Sequence, residues 1–584
     1  MDERMRYAKL AAVKPPSGSI AALLAINIAF LSSCGDGNAA PHGVGTATAP
    51  SAAPAWFEDV ATRSGIDFLH AAGPIKHRLP ETMTGGVAWL DFDDDGFLDL
   101  FLVQAGDLDA DPKAPGGSKL YRNVGGRSFV DVTPFAGVSG RGYGFGCTTG
   151  DFDGDGKVDL VVTHLKGVIL YRNDGDGSFT DVTAASGIAD RSWCTSCAFL
   201  DYDRDGDLDL FVCRYVDWSP QIERSCRTAT GEPDYCNPNN YKAPTADALY
   251  RNEGSGRFTD VSQASGVASA RGNGLGVIVG DLDRDGLPDI FVANDATPDH
   301  LWINQGDGRF VERALALGCA LNRGGTATAS MGVASGDFDG DGSFDLVVGN
   351  MKAESISLFL GRESADFVER TLYAGLGSST AAYTTFGVGV GDYDCDGLPD
   401  FYFANGRINK FTPYPDPLQP YAESSQLFRG LGAGKFSEVL PCGGETAAQF
   451  NVARGAAQGD YDNDGGLDVA VTRLDRPARL LRNVVPTRGH WATFKLALPS
   501  GADAVGAEAR VHAGGKIRLG RVQVAASYLS ANDPRIHVGL GAIKEIESVT
   551  VIWPDGKREE FGPFACDAIH VLKAGTGRPA PAGR

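Results

Sequence analysis

Two catalytic signatures are missing from this chain: it has no G-x-S-x-G and no H-E-x-x-H, and its nine histidines are scattered. The first absence removes the strained serine turn of the α/β-hydrolases and the second removes the helical His/His/Glu zinc site. A single C-x-x-C occurs, Cys194-Thr195-Ser196-Cys197. Without a second pair or a thioredoxin-like βαβ pattern it reads as a structural disulfide or as buried thiols. The apolar run Ile20–Leu31, "IAALLAINIAFL", is too short for a membrane-spanning helix. Positive charge is also scarce: 53 Lys and Arg against 74 Asp and Glu leave −21, which argues against a nucleic-acid partner.

What the chain holds in quantity is aspartate at fixed spacing. "DYDRDGDLDL", Asp201 to Leu210, places five Asp in ten positions. Like charges so close need open water or a bound cation. In Asp201-x-Asp203-x-Asp205-Gly206-x-x-Asp209 the alternate carboxylates can converge, Gly206 permits a sharp turn, and Asp209 closes the shell from the far side. Oxygen-only ligation of this kind suits Ca²⁺, which takes roughly 6–8 oxygens. An EF-hand opens similarly, but its bidentate Glu at the twelfth position is absent here. The flanks, "CAFL" and "LFV", are short apolar segments without helical periodicity. The pattern predicts a calcium-binding β-hairpin loop.

Seven such loops occur. Their ligand sets are Asp91, Asp93, Asp95 and Asp99; Asp151, Asp153, Asp155 and Asp159; Asp201, Asp203, Asp205 and Asp209; Asp281, Asp283, Asp285 and Asp289; Asp337, Asp339, Asp341 and Asp345; Asp392, Asp394, Asp396 and Asp400; and Asp460, Asp462, Asp464 and Asp468. A solvated Asp turn without metal is the alternative, but it would have to keep four carboxylates and a glycine in every copy. Up to seven Ca²⁺ ions are therefore expected. Four Asp in each of seven loops account for much of the −21. Bound dications would leave an ordinary charge for a soluble protein, so stability should be linked to the metal.

Two other signatures keep the same rhythm. A Leu-led strand follows each loop: "LYRN" at Leu120, Leu170 and Leu249, "LWIN" at Leu301, "LFLG" at Leu358, "LFRG" at Leu427 and "LLRN" at Leu480. A Phe-led strand then follows at Phe129, Phe179, Phe258, Phe310, Phe367 and Phe436, but the seventh unit lacks one, while "FEDV" at Phe57 precedes the first loop. The counts match only if the N-terminal strand completes the last unit, which makes a ring. The fold expected is all-β: a seven-bladed β-propeller over residues 56–485, closed by its N-terminal strand. A small β-sandwich-like domain (486–575) and a disordered tail (576–584) follow.

The unit, for example "GVGVGDYDCDGLPDFYFAN", resembles the FG-GAP or VCBS repeat of integrin α-chain propellers and many bacterial surface proteins. That resemblance implies Ca²⁺ in the Asp loop between strands one and two of each blade, with partners meeting the opposite face. Past Asn483, "SYLSANDPRIHVGLG" with "VGAEARV" and "VIWPDGK" resembles the ASPIC/UnbV domain. Together the two parts resemble a bacterial member of the cartilage acidic protein family, without the EGF-like module of its vertebrate members. The resemblance assigns no biochemical role to the C-terminal domain.

The N-terminus reads as an export signal. Arg4, Arg6, Lys9 and Lys14 precede the apolar run, and Leu31-Ser32-Ser33-Cys34 resembles a bacterial lipobox. Cleavage before Cys34 and its acylation would anchor the mature chain; an ordinary secretory peptide cut elsewhere is the alternative, and export follows either way. Gly35 in place of an Asp favours the outer membrane or cell surface, with a periplasmic location still open. Residues 35–55, rich in Ala, Gly, Pro, Ser and Thr, read as a flexible tether. Among the other cysteines, Cys226 and Cys236 flank "RTATGEPDY" and are the expected disulfide, while Cys319 takes a slot filled elsewhere by Ile or Val.

Insertions at 61–85, 216–247 (with Trp218) and 406–425 are expected on the face opposite the metal loops, where loops on a rigid scaffold commonly bind partners. Five residues after each closing Asp stand Gln104, His164, Arg214, Asn294, Asn350, Asn405 and Arg473. These either edge the central opening as a partner site or are simply strand ends reaching water. Two functions are carried forward. One is a monomeric, surface-anchored scaffold that binds an extracellular protein or glycan, with Ca²⁺ as a staple. The other is a propeller hydrolase or lyase acting on polysaccharide or another extracellular substrate.

Overall fold

Short apolar runs separated by Gly/Asp turns cannot sustain helices, and strands dominate the chain. The computed structural model describes residues 54–71, 73–111, 117–411, 419–474 and 476–581. Cys34, the leader and residues 35–53 of the tether lie outside them. No helix among the described residues is long and apolar enough to cross a membrane.

The N-terminal strand is β1 (Phe57–Asp59). The first Asp loop joins β2 (Val87–Leu90) to β3 (Asp99–Leu102), and β4 (Lys119–Asn123) and β5 (Phe129–Asp131) complete an antiparallel meander. Further sheets of this kind open with Gly144–Gly150, Cys194–Leu200, Gly274–Gly280, Val333–Gly336, Thr385–Gly391 and Ala453–Gly459. The last of them has three strands of its own, and β1 supplies the fourth: Phe57 pairs with Asn483, Glu58 with Arg482 and Asp59 with Leu481.

Apart from the central cluster, each apolar cluster between sheets joins two that are successive in sequence, with one exception. Trp89, Leu100 and Tyr121 of the first sheet pack with Ala457, Tyr461 and Leu480 of the seventh. Trp89 also donates its indole N–H to the Ala457 carbonyl at 3.1 Å. A helical turn after most Phe-led strands ends in a left-handed glycine, such as Gly187 (φ 92°) and Gly318 (φ 86°). A Cβ at those points would lie 2.7 Å from the Phe258 carbonyl oxygen and 2.6 Å from that of Phe367, so the glycine sets how closely the next sheet approaches.

The C-terminal region forms a three-stranded sheet (His490–Ala497, Ile536–Gly541, Ala568–Lys573) and a five-stranded sheet built on Glu508–Ala513 and Lys516–Arg521. Phe494, Val511, Val549 and Trp553 fill the core between them. The tail is not free from residue 576: Arg578–Pro579 pairs with Glu559 and Glu560 and adds an edge strand to the larger sheet. Backbone hydrogen bonding outweighs the polar, Pro-rich composition there.

This region is not a separate appendage. Its hairpin Ala525–Ala526/Ser530–Ala531 enters the middle of the sheet array. Tyr528 and Leu529 at its tip are fully buried among Met83, Phe145, Met331 and Phe386. Ala531 pairs with Ala88, the Cys147 N–H donates to the Leu529 carbonyl (3.1 Å), and Leu529 N–H donates to the Ser196 hydroxyl (3.2 Å). Ser527 exchanges backbone bonds with Val333 at 2.7 and 3.0 Å and accepts from Val388 N–H at 2.8 Å. Asn532 accepts from Gln458 N–H at 3.0 Å. Six of the sheets thus hold one hairpin. Outside the first sheet, the opening strands are edges of their sheets, so the backbone groups on that side are open to the hairpin. Ser527 and Leu529 keep positive φ angles (65° and 56°), a strain tolerated where the surroundings over-determine the backbone.

Candidate metal centres

Within each loop the first Asp organises the turn. Asp91 accepts backbone N–H groups from Asp95 and Gly96 at 3.0 Å each, and Asp392 and Asp460 accept the equivalent pairs. Gly96 has φ 87°, the left-handed turn the spacing required. The fifth-position carboxylates Asp95, Asp155, Asp205 and Asp341 each cap the N–H two residues on.

The closing Asp has a second task. Asp99 takes the Phe92 N–H on one oxygen (3.1 Å) and the Asn123 N–H, from the end of β4, on the other (2.7 Å). Asp159, Asp209, Asp289, Asp345, Asp400 and Asp468 repeat this double bond, and all seven are buried. Each ties its loop to the third strand.

Carboxylate oxygens of Asp91, Asp93 and Asp99 lie within 4.8 Å of one another, as do those of Asp151, Asp153 and Asp159, of Asp201, Asp203 and Asp209, and of Asp337, Asp339 and Asp345. In the fourth loop the grouped carboxylates are Asp281, Asp283 and Asp285. A hydrogen-bonded carboxylate oxygen keeps a lone pair for a cation, so the closing Asp can serve both roles. One observation tests the fit to a metal: the Oδ1 atoms of Asp93, Asp281, Asp394 and Asp462 are buried without a hydrogen-bond partner. Buried oxygens that no donor satisfies, within an all-carboxylate set, suit a hard dication.

Electrostatics agree. Burial first, then the neighbouring carboxylates Asp93 and Asp91, push Asp99 up to about 8 against two opposing backbone bonds. Asp159, Asp209, Asp289 and Asp345 also stand at about 8. Asp91, Asp201, Asp281 and Asp337 are raised to about 6, again mainly by burial. The clusters cannot all be ionised without a counter-charge. Arginines supply part of it: Arg429 reaches Asp394 (2.8 Å) and Asp396 (2.7 Å), and Arg482 reaches Asp462 (2.8 Å) and Asp464 (3.1 Å).

The "N" of the "LYRN" strands carries a role that the sequence reading missed. Asn123 donates from Nδ2 to its own loop at Leu98 O and to the seventh sheet at Tyr461 O, both at 2.9 Å. Asn173, Asn252, Asn304 and Asn483 reach the preceding sheet in the same way, at Phe92, Phe152, Tyr202 and Tyr393. Recurrence of the Asn beside the Asp loop was the available signal.

The polar ring is not brought together. Gln104 bonds Leu69 O and Ala71 N, Arg214 pairs with Asp190 (2.7 Å), and Asn294 donates to Pro298 O. Asn350 bonds Ser355 and Ser357, Asn405 bonds Ser424, and Arg473 bonds Pro477 O. His164 is buried, and burial pulls its ring down to about 4. These residues stand at or just past the ends of second strands, and the bonded ones are held by their own separate partners. The centre is filled by aromatic side chains and the hairpin tip. Above it the three insertions touch one another: Leu79 N–H reaches Glu223 and Lys410 N–H reaches Asp234. Trp218 is half-buried, donating to Glu223 at 2.8 Å, and Cys226 is bonded to Cys236 across a Cα separation of 5.3 Å. Cys194, Cys197 and Cys319 are buried thiols.

These features define a repeat protein whose units are bound together at acidic hairpin loops. The FG-GAP-like repeat model matches residues 91–162, 151–212, 231–292, 281–348 and 337–403, about half the chain, and the ASPIC and UnbV model matches 497–579. The chain belongs to the FG-GAP repeat family and carries an ASPIC/UnbV domain. It is 28% identical over 309 residues to cartilage acidic protein 1 of Homo sapiens, covering 51% of this chain and 43% of that protein. The Xenopus tropicalis protein matches at 28% over 295 residues, covering 49% of this chain and 42% of its own length. The chain thus spans less than half the length of these relatives. Among solved structures, an Agrocybe aegerita lectin that recognises non-reducing terminal N-acetylglucosamine aligns at 16% identity and TM-score 0.38, over 78% of this chain and 98% of its own. YCF48 bound to D1 peptide aligns at 12% and 0.37, over 72% and 100%. Neither likeness is strong enough to bear on a ligand.

Proposed function

We propose that the chain is a calcium-stapled, exported recognition scaffold: a seven-bladed β-propeller closed by its N-terminal strand, with the C-terminal domain plugged into its centre. The observation that carries this reading is the set of partnerless buried oxygens in four of the repeated loops, on the third-position Asp93, Asp394 and Asp462 and on the first-position Asp281. Ca²⁺ is the ion of choice because the donors are all hard carboxylate oxygens. The pairing of β1 with Arg479–Asn483 and the Asn123–Tyr461 bond support closure. Acylation at Cys34 would hold the monomer at the outer membrane or cell surface, where its partner is an extracellular protein or glycan.

Melting curves of the lipid-free chain with Ca²⁺ and with chelator test the staple; an unchanged midpoint refutes it. A glycan-array and pull-down screen under both conditions tests recognition. Turnover of a polysaccharide without stable binding would replace the scaffold by an enzyme.

A further inference from the structure

The edge strand Lys516–Arg521 of the C-terminal domain overhangs the metal-loop face. Between them opens a cavity of ≈ 840 Å³ walled by the loops at Asp337 and Asp392, and a second of ≈ 380 Å³ adjoins it toward the loops at Asp281 and Asp201. Arg284 and Arg510 line both, so the two cavities form one elongated trench.

Arg535 in this trench lies on the Asp533 carboxylate, but other trench cations differ from those elsewhere on the same face. Arg429 and Arg482 lie directly on Asp carboxylates. Arg510, by contrast, has a buried Nε without a hydrogen-bond partner, and so does Arg518, whose guanidinium donates to the Ala513 carbonyl. Arg521 has a side chain only 1% exposed; it pairs with Glu508 yet leaves Nη1 unpartnered. Arg284 bonds the Ser343 hydroxyl, at 3.2 Å. Burial pulls the Arg518 guanidinium below its ordinary value. In a chain of net charge −21, half-buried arginines lining a shared trench, with an Nε that no protein acceptor satisfies in Arg510 and Arg518, have the chemistry of an oxyanion site.

The geometry points to an anionic oligosaccharide, carrying a carboxylate or sulfate on successive sugars, as the ligand of this trench. A single small anion would need one cup, whereas here the donors are spread along two joined cavities, with Arg518 toward one end and Arg510 and Arg284 at the junction. The combined space is of the size that holds a few sugar rings. Guanidinium forks match planar carboxylates and sulfates. Ions in the bordering Asp loops would remove the opposing negative charge. This places recognition on the metal-loop face and under the C-terminal domain, and it rests on the scaffold reading above.

The test uses the calcium-loaded full chain titrated with tri-galacturonate and with its neutral methyl ester, followed by calorimetry. The acid should bind, the ester should not, and affinity should fall as salt rises. Arg510→Gln and Arg518→Gln should each weaken binding about tenfold or more, the usual cost of one charge-assisted hydrogen bond. Lys516→Gln, on the exposed edge, gives a variant that leaves the core untouched and should weaken binding several-fold. Equal binding of acid and ester, undiminished binding by well-folded variants, or no binding of the acid or of a sulfated trisaccharide would each overturn the assignment. A protein or neutral-glycan partner unaffected by these substitutions would overturn it while leaving the scaffold reading intact; a chain that binds nothing in the wider screen would end both.

Discussion

Asn123 donates a 2.9 Å hydrogen bond to the carbonyl of Tyr461, 338 residues further along the chain. The same amide nitrogen bonds Leu98 O, so one side chain links its own Asp loop to the loop region of the seventh sheet. Asn173, Asn252, Asn304 and Asn483 repeat the link between other neighbouring sheets.

Replacing Asn123 by Ala leaves two buried carbonyls without their donor. The expected loss is about 2–3 kcal/mol, since each unsatisfied buried group costs roughly 1–3 kcal/mol. Denaturant unfolding measures it, and a change under about 0.5 kcal/mol would show that the bond is dispensable.

The ligand and keystone roles of the aspartates separate by substitution. Asp93→Asn should lower the calcium stoichiometry by one in titration and change the metal-free melting point little, because Asp93 Oδ1 has no protein donor to lose and the pair that Oδ2 makes with Arg122 is partly exposed. Asp99→Ala should also lower the metal-free melting point, because it strands the N–H groups of Phe92 and Asn123. Equal effects of the two on the metal-free protein would contradict the division.

Metal-free stability should fall between pH 6.5 and 8. The closing carboxylates Asp99, Asp159, Asp209, Asp289 and Asp345 stand at about 8 in the folded chain against 3.8 in the unfolded one. The folded state therefore holds extra protons, an advantage complete below the unfolded value and lost as pH rises through about 8. His70, His164 and His537, depressed to about 4 by burial, act in the opposite sense but only below 6.5. Saturating Ca²⁺ should abolish the fall. A metal-free melting point that rose from pH 6.5 to 8 would reject this account.

The central hairpin should make the described chain unfold as one unit. Leu529→Ala empties part of a filled core and should cost about 2–5 kcal/mol. Replacing residues 525–531 by a short Gly-rich turn should split a single calorimetric transition into two, one for each part. Two transitions already present in the unmodified protein would show that the hairpin does not couple them.

The Asp loops were legible because a metal-type turn is local: nine consecutive residues carry the carboxylates and the glycine that place them. The matching of Leu-led and Phe-led strands pointed to the pairing of β1 with the last sheet, since strand counting needs no three-dimensional information. The polar ring was legible as a pattern but not as a role. Gln104, Arg214 and Asn405 look free in sequence, and only the folded hairpins supply Leu69, Asp190 and Ser424 as their partners.

By itself the sequence determined what depends on near neighbours: the number of acidic turns, the order of strands around each, and the offset that sends Phe57 to Asn483. Tertiary structure alone decided that "SYLSAN" lies at the centre of the sheets, that Asn123 meets Tyr461, and that Arg510 and Arg518 each keep a buried Nε without an acceptor. The reason is that a hydrogen bond or a buried charge is defined by what surrounds it, and those surroundings come from segments hundreds of residues away whose meeting leaves no periodic trace in the chain.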